Sequence, residues 1–181
     1  MSEPVIRAAL ESDAPAIAAI GRVAFPAVHN DVVGAEFAAA VVEQTYSVEA
    51  LTTCIRRCAA AEDAAFLVAD RDGEVIGYLH YDSEGAEPEL HRVYVDPDKK
   101  RGGVGRALIQ ALHARLGPGA QYILLVAEAN RDAQAFYERQ GLVIENRVDG
   151  PQYYSAAMAI ETDAPPPRAP ALVMRYIASS R

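Results

Sequence analysis

The sequence predicts an α/β (α+β) chain built on a mixed, mostly antiparallel central sheet of about seven strands. Three observations carry this expectation. Short runs rich in β-branched and aromatic residues alternate with segments of helical period. Two of those runs are joined by the turn letters Asp70-Arg71-Asp72-Gly73, the mark of a hairpin. A strand, a basic glycine-rich stretch and an amphipathic helix then follow one another directly between Leu90 and Leu116.

Taken in order, Val5 to Ala9 reads as a short strand, and Ser12 or Asp13 caps a helix that turns Ile17, Ile20 and Ala24 inward. Periodicity is poorer between Phe25 and Val48 and returns as a helix from Val48 to Ala60. Ala65–Ala69 and Val75–Tyr81 form the hairpin, and Gly85 to Glu89 leads into a third antiparallel strand, Leu90–Val95. Val104, Ala107, Leu108, Ala111, Leu112 and Leu116 then repeat at helical spacing. A strand follows from Tyr122, then a helix that ends at Gly141, a residue suited to a left-handed terminus. Leu142–Val148 and Ala171–Ile177 read as late partner strands, separated by a loop over 149–170 that contains Pro165-Pro166-Pro167.

With 181 residues, 51% hydrophobic letters and no Ser/Gly-rich divider, one domain over 1–181 is expected. No apolar run is long enough to cross a bilayer, and Met1–Leu10 has no signal-peptide character, so a cytoplasmic protein without membrane association is expected. A formal net charge of -8 argues against a nucleic-acid partner. Cys54 and Cys58 are four apart with no further ligand at metal spacing; they read as reduced small residues, and no metal is expected.

Against that acidic background, Lys99, Lys100, Arg101 and Arg106 cluster around Gly102-Gly103-Val104-Gly105. The first turn of a helix has unpartnered N–H groups and the positive end of the helix dipole, and glycine lets an anion come close to both. A polyphosphate is therefore the expected ligand. Two familiar phosphate loops fail the letters: Gly105 is followed by Arg106-Ala107 where a P-loop needs Lys-Ser/Thr, and Leu108 occupies the third glycine of a dinucleotide fingerprint.

The stretch Lys100-Arg101-Gly102-Gly103-Val104-Gly105 resembles motif A, Q/R-x-x-G-x-G/A, of the GNAT superfamily of acyl-CoA-dependent N-acetyltransferases. Leu90 to Pro97 is similar to that family's fourth strand, Tyr122 to Asn130 to its fifth, and Ala135-Phe136-Tyr137-Glu138-Arg139-Gln140-Gly141-Leu142 to its A-x-x-F/L-Y-x-x-x-G-F signature. The resemblance covers residues 62 to 148 well. It implies helices on both faces of the sheet, splayed strands four and five, and acetyl-CoA as co-substrate, with the pantetheine arm entering the gap as a pseudo-strand.

On that resemblance, the cofactor would be held by Val93, Tyr94, Val95, Arg101, Gly102, Gly103, Val104, Gly105, Arg106, Asn130 and Tyr137. Tyr137 would also serve as the acid for the departing thiolate, and Asn130 would cap the second-signature helix. Glu89 is the candidate base; His91, on the same strand face by period two, is the alternative, and an exposed amine can also lose its proton to bulk water. Walls for a small-molecule or peptide amine are expected from Phe25, His29, Phe37, Tyr46 and His91, with Tyr153 and Tyr154 from the late loop. Bacterial polyamine acetyltransferases are loosely similar. The resembled fold often pairs edge strands, which makes a homodimer one expectation. An acyl-CoA sensor of the same fold, without turnover, is the alternative function.

Overall fold

Residues 2–99, 102–150, 162 and 167–178 are described in a computed structural model, and they build one sheet with helices packed on both faces. Its strands are β1 (Val5–Ala8), β2 (Ala65–Arg71), β3 (Glu74–Asp82), β4 (Glu89–Val95), β5 (Gln121–Ala127), β6 (Val143–Val148) and β7 (Ala171–Ile177). They lie in the order β1-β2-β3-β4-β5-β7-β6, antiparallel throughout except for the parallel pair β4 and β5. The β2–β3 turn consists of Asp72 and Gly73, both at positive φ (55° and 85°), the backbone that a two-residue hairpin loop of matching twist requires.

Helices α1 (Ala14–Val33), α2 (Ala35–Thr45) and α3 (Val48–Ala60) cover one face, where Ile17, Phe25, Phe37, Val41, Leu51 and Ile55 pack on Phe66, Val68 and Tyr78. Helix α4 (Val104–Leu116) covers the other, with Leu108, Ile109 and Leu112 fully buried against Leu67, Ile76 and Leu79. The short α5 (Arg131–Glu138) follows β5 and ends before Gly141, whose φ of 91° is the left-handed stop read from the sequence.

Two local expectations are corrected. The weakly periodic stretch after Phe25 is helical: α1 runs through Pro26 to Val33, and α2 begins beyond Gly34, whose φ of 84° breaks the axis. Proline removes one backbone donor from α1, but burial of Ala24, Phe25, Val33 and Phe37 supplies the packing that holds the helices regardless. Asp13 precedes α1 without capping it through its side chain. Its carboxylate instead accepts from both Arg7 nitrogens at 2.7 and 3.0 Å and from the Leu10 N–H at 2.7 Å, and Arg7 also reaches Asp70, tying β1 to β2. Tyr153, Tyr154, Lys100 and Arg101 lie outside the described residues. Among the described residues no helix is long and apolar enough to cross a membrane.

Candidate active site

The phosphate-binding candidate is the N-terminal end of α4. Gly103 is its N-cap at φ 73°, and Ala107 N–H is already bonded to Gly103 O, so the N–H groups of Val104, Gly105 and Arg106 have no partner within the helix. A methyl group on Gly105 would sit 3.2 Å from the Phe136 ring, so the third glycine of the motif is also where α4 and α5 pack closely. Arg106 Nη2 stands 3.9 Å from the Cβ position of Gly103, while Lys99 is engaged with Glu74 at 3.3 Å. A cation that sequence reading missed joins them: Arg71, at the end of β2, brings Nη2 within 3.6 Å of the Cβ position of Gly102 and leaves Nε buried without a partner. No local signal marks it, because the hairpin brings it in from about thirty residues upstream.

From this end a gap opens along β4. Between β4 and β5 only Glu89 and Ile123 are paired, with one further bond from Ile123 N–H to Pro88 O, whereas β4 stays in register with β3 up to Val95. Asp96 N–H donates to Ile76 O, so by alternation Tyr94 and Arg92 also aim their backbone groups at β3, while Val93 and Val95 aim theirs into the gap. Tyr94 is thereby removed from the cofactor edge by its backbone, and its hydroxyl lies 3.1 Å from His29 Nε2.

At the closed end of the gap β4 bulges. Tyr81 pairs with Leu90 but His80 pairs with Arg92, which leaves His91 as the extra residue. The bulge gathers Glu89, His91, His80 and Asp82 on the α1–α3 face of the sheet. His91 Nδ1 is 3.4 Å from Glu89 Oε1, its Nε2 is 3.0 Å from Asp82 Oδ1, and its ring stacks on His80 with centroids 4.9 Å apart. Burial works to lower the His91 pKa, but the Glu89 and Asp82 carboxylates outweigh it and the net shift is upward. Hydrogen bonds from His80 and then His91 hold the Asp82 carboxyl well below the usual carboxylate range. The two candidate bases of the sequence reading thus form one ion-paired unit, completed by Asp82, a residue that reading passed over because it lies across the sheet on β3.

On the other side of the gap, Asn130 caps α5 as expected, its side-chain oxygen accepting from Ala133 N–H at 3.1 Å. Tyr137 packs with Val93, Val95 and Phe136 against the core of the α4 face, and burial pushes its pKa up to about 12.

The aromatic residues proposed as walls come together, but they are mostly core. Phe25 and Tyr46 are 2% and 1% exposed, and Phe37 is buried too. Phe25 stacks on His29 at 4.4 Å and lies 5.8 Å from Tyr46, whose ring meets Tyr94 edge-on. Burial lowers the His29 pKa to about 4, which keeps its ring neutral. The fold also gives the cysteines a companion the spacing did not reveal: Cys54 Sγ is 3.4 Å from His80 Nε2, and Cys54, Cys58 and His80 place their donor atoms within 4.8 Å of one another. Hydrogen bonds from Cys58 and His80 draw the Cys54 thiol pKa down.

The acetyltransferase (GNAT) domain family matches residues 62–143. Mycothiol acetyltransferase of Streptomyces coelicolor is 41% identical over 87 residues, covering 45% of this chain and 28% of that protein. Phosphinothricin N-acetyltransferase of Alcaligenes faecalis is 40% identical over 86 residues, 42% of this chain and 44% of that one. The matches therefore span less than half of these relatives' length. Among solved structures, the PaiA N-acetyltransferase of Thermoplasma acidophilum in complex with coenzyme A superposes with a TM-score of 0.74 at 21% identity, over 98% of this chain and 99% of that one. A phosphinothricin acetyltransferase of Sinorhizobium meliloti in complex with acetyl-CoA gives 0.70 at 19%, over 98% and 90%. What the chain has in common with these proteins is a stretch, residues 62–143, that matches the acetyltransferase (GNAT) domain, and a fold shared over nearly its whole length.

Proposed function

We propose that the chain is an acyl-CoA-dependent N-acetyltransferase that passes an acetyl group from acetyl-CoA to a primary amine of a small molecule or peptide, by direct attack in a ternary complex. The observation that carries this reading is the unpaired edge of β4, which runs from the free N–H groups of α4 to the Glu89–His91–Asp82 cluster. Leu90 to Val95 spans about 17 Å of strand rise, the scale of an extended pantetheine arm. The relatives with coenzyme A or acetyl-CoA in their solved structures support the same cofactor here.

Acetyl-CoA supplies the activated acyl group; the remaining work falls to this chain's own residues. Val104, Gly105 and Arg106 N–H groups, aided by Arg71 and Arg106 side chains, hold a diphosphate. Backbone N–H of Val93 or Val95 polarises a carbonyl in the gap, a contact worth about 2.7 to 4 kcal/mol of barrier. Glu89 accepts the amine proton through water, and His91, held cationic between two carboxylates, orients it. Tyr137, protonated throughout the working pH range, donates a hydrogen bond to the leaving thiolate; its proton is held too tightly for full transfer to be the main contribution.

Thiol release measured over a panel of polyamines, amino acids, peptides and aminoglycosides tests the reading. At least one acceptor is expected to exceed background hydrolysis, and Tyr137→Phe is expected to lower that turnover by about a hundredfold with coenzyme A affinity unchanged. Tight coenzyme A binding with background hydrolysis for every amine would replace the enzyme by a sensor.

A further inference from the structure

Five buried side-chain atoms among the described residues have no hydrogen-bond partner: His29 Nδ1, Arg71 Nε, Tyr78 Oη, His80 Nδ1 and Arg92 Nη1. Such groups are costly and few in folded proteins, so their positions are informative. Arg71 stands at the phosphate-binding end. The other four all belong to the face of β3 and β4 under α1–α3, beside the bulge: His80 is the cross-strand partner of Arg92, Tyr78 is that of Tyr94, and His29 reaches Tyr94 from α1.

Arg92 is the sharpest case. Among the described residues it makes no ion pair, and the groups that face it are the phenols of Tyr46, Tyr78 and Tyr94 and the sulfur of Cys54. Its guanidinium lies 5.2 Å from the centroid of the Tyr46 ring, a cation–π contact that fixes its plane but satisfies none of its N–H donors. Cys54 spends its own hydrogen bonds on Cys58 and His80. Removing a guanidinium from water without an anion is unfavourable, and Arg7, Arg57, Arg147 and Arg175 each have a carboxylate close by. Arg92 faces the Cys54 sulfur, whose pKa it helps to draw down, but no carboxylate pairs with it among the described residues, which leaves its fork open to an anion brought by a ligand.

We propose that Arg92 is the anion-binding residue of the acceptor site, so that the acceptor is an amine bearing a carboxylate a few bonds from its nitrogen, in the manner of an amino acid. The inference rests on the acetyltransferase reading above and names its substrate class. Glu89 and Arg92 are three residues apart on one bulged strand, about 10 Å or less. That interval accommodates a short zwitterion with its ammonium end, through one water, at Glu89 and its anionic end in the guanidinium fork, where bidentate pairing is strong. Polyamines, with no anion to offer, are expected to be poor acceptors.

The experiment uses matched pairs of amines, each amino acid beside its amide and its methyl ester, with the full chain and two variants. In the unaltered protein the free acids are expected to exceed their neutral analogues by at least tenfold in kcat/KM. Arg92→Met is expected to abolish that preference, raising KM for the acid at least tenfold while kcat/KM for the amide stays within threefold; Arg92→Lys, which keeps the charge without the fork, is expected to fall between. Because the methionine variant removes an unpaired buried charge, its Tm is expected to equal or exceed that of the unaltered protein, so a lost preference is not a lost fold. Equal rates for acids and amides, or a preference insensitive to Arg92→Met, overturns the proposal while leaving the acetyltransferase reading intact. If no amine is acetylated, tyrosine fluorescence decides: the chain has no tryptophan and nine tyrosines, of which Tyr46, Tyr78 and Tyr94 stand beside Arg92. Saturable change on adding the amino acids, lost in Arg92→Met, supports the anion site without turnover, and its absence refutes the site.

Discussion

Each nitrogen of the His91 ring faces a carboxylate, and that arrangement decides which residue is fit to take a proton from the amine. A neutral imidazole would turn its lone pair towards either Asp82 or Glu89, so the cation is the favoured form, and the folded pKa lies above the ordinary value near 6.5. The stabilisation this gives is complete below about pH 6.5 and disappears as pH rises through the raised folded value. The Tm difference between the unaltered protein and His91→Gln should therefore be greatest in mild acid and shrink on the alkaline side; a difference that grows with pH would contradict the pairing. On the proposed mechanism the base is Glu89 rather than the carboxylate-paired His91, so Glu89→Gln should cost about 10² to 10⁴ in kcat and His91→Gln distinctly less. Legibility at this scale was partial. Glu89 and His91 could be placed on one strand face by period two and Asn130 at a capping position, both local properties, while Tyr137 and the role of Glu89 came from the resemblance. Asp82, His80, Arg71 and the isolation of Arg92 were not legible, since each is defined by what lies across the sheet.

Helices α1 and α2 show the same division among elements. Pro26 and Gly34 break the hydrophobic period that announces a helix, so the stretch reads as irregular, although its alanines favour helix and its buried side chains stabilise it. By contrast α4 was plain, because its apolar stripe is uninterrupted and its first glycines punctuate it. Another glycine had no visible role in the sequence. Gly21, within α1, lies directly under the Tyr46 ring, and a methyl there would overlap the ring carbons. Gly21→Ala gains helix propensity on paper, yet it should destabilise the protein by about 1 to 3 kcal/mol, seen as a fall of about 2 to 4 °C in Tm for each kcal/mol. The displaced Tyr46 would also shift Arg92, so the KM for the acceptor should rise in the same variant. A neutral or raised Tm would mean that the ring relaxes without cost.

Across the whole molecule, the early antiparallel run, the pairing of the last two strands and the splay of strands four and five followed from the turn letters and the resemblance to a known superfamily, while the insertion of β7 between β5 and β6 and the gap's chemistry followed only from the fold. The sheet is in effect two sheets, β1 to β4 and β5-β7-β6, which share one paired position at Glu89 and Ile123. A salt bridge of 2.7 Å from Arg175 on β7 to Glu87, just ahead of β4, fastens the same end. Everything beyond is held by side chains packed under α4 and α5. Such a seam makes the protein bipartite in its response to force and to solvent: amides of Val93 and Val95 should exchange with deuterium far faster than those of their neighbours Arg92 and Tyr94, and coenzyme A should slow them selectively. Uniform protection along β4 without ligand would show that the halves are already sewn together. If the seam behaves as its few links at one end imply, coenzyme A bound there would also be a structural thread, and its depletion would loosen the protein.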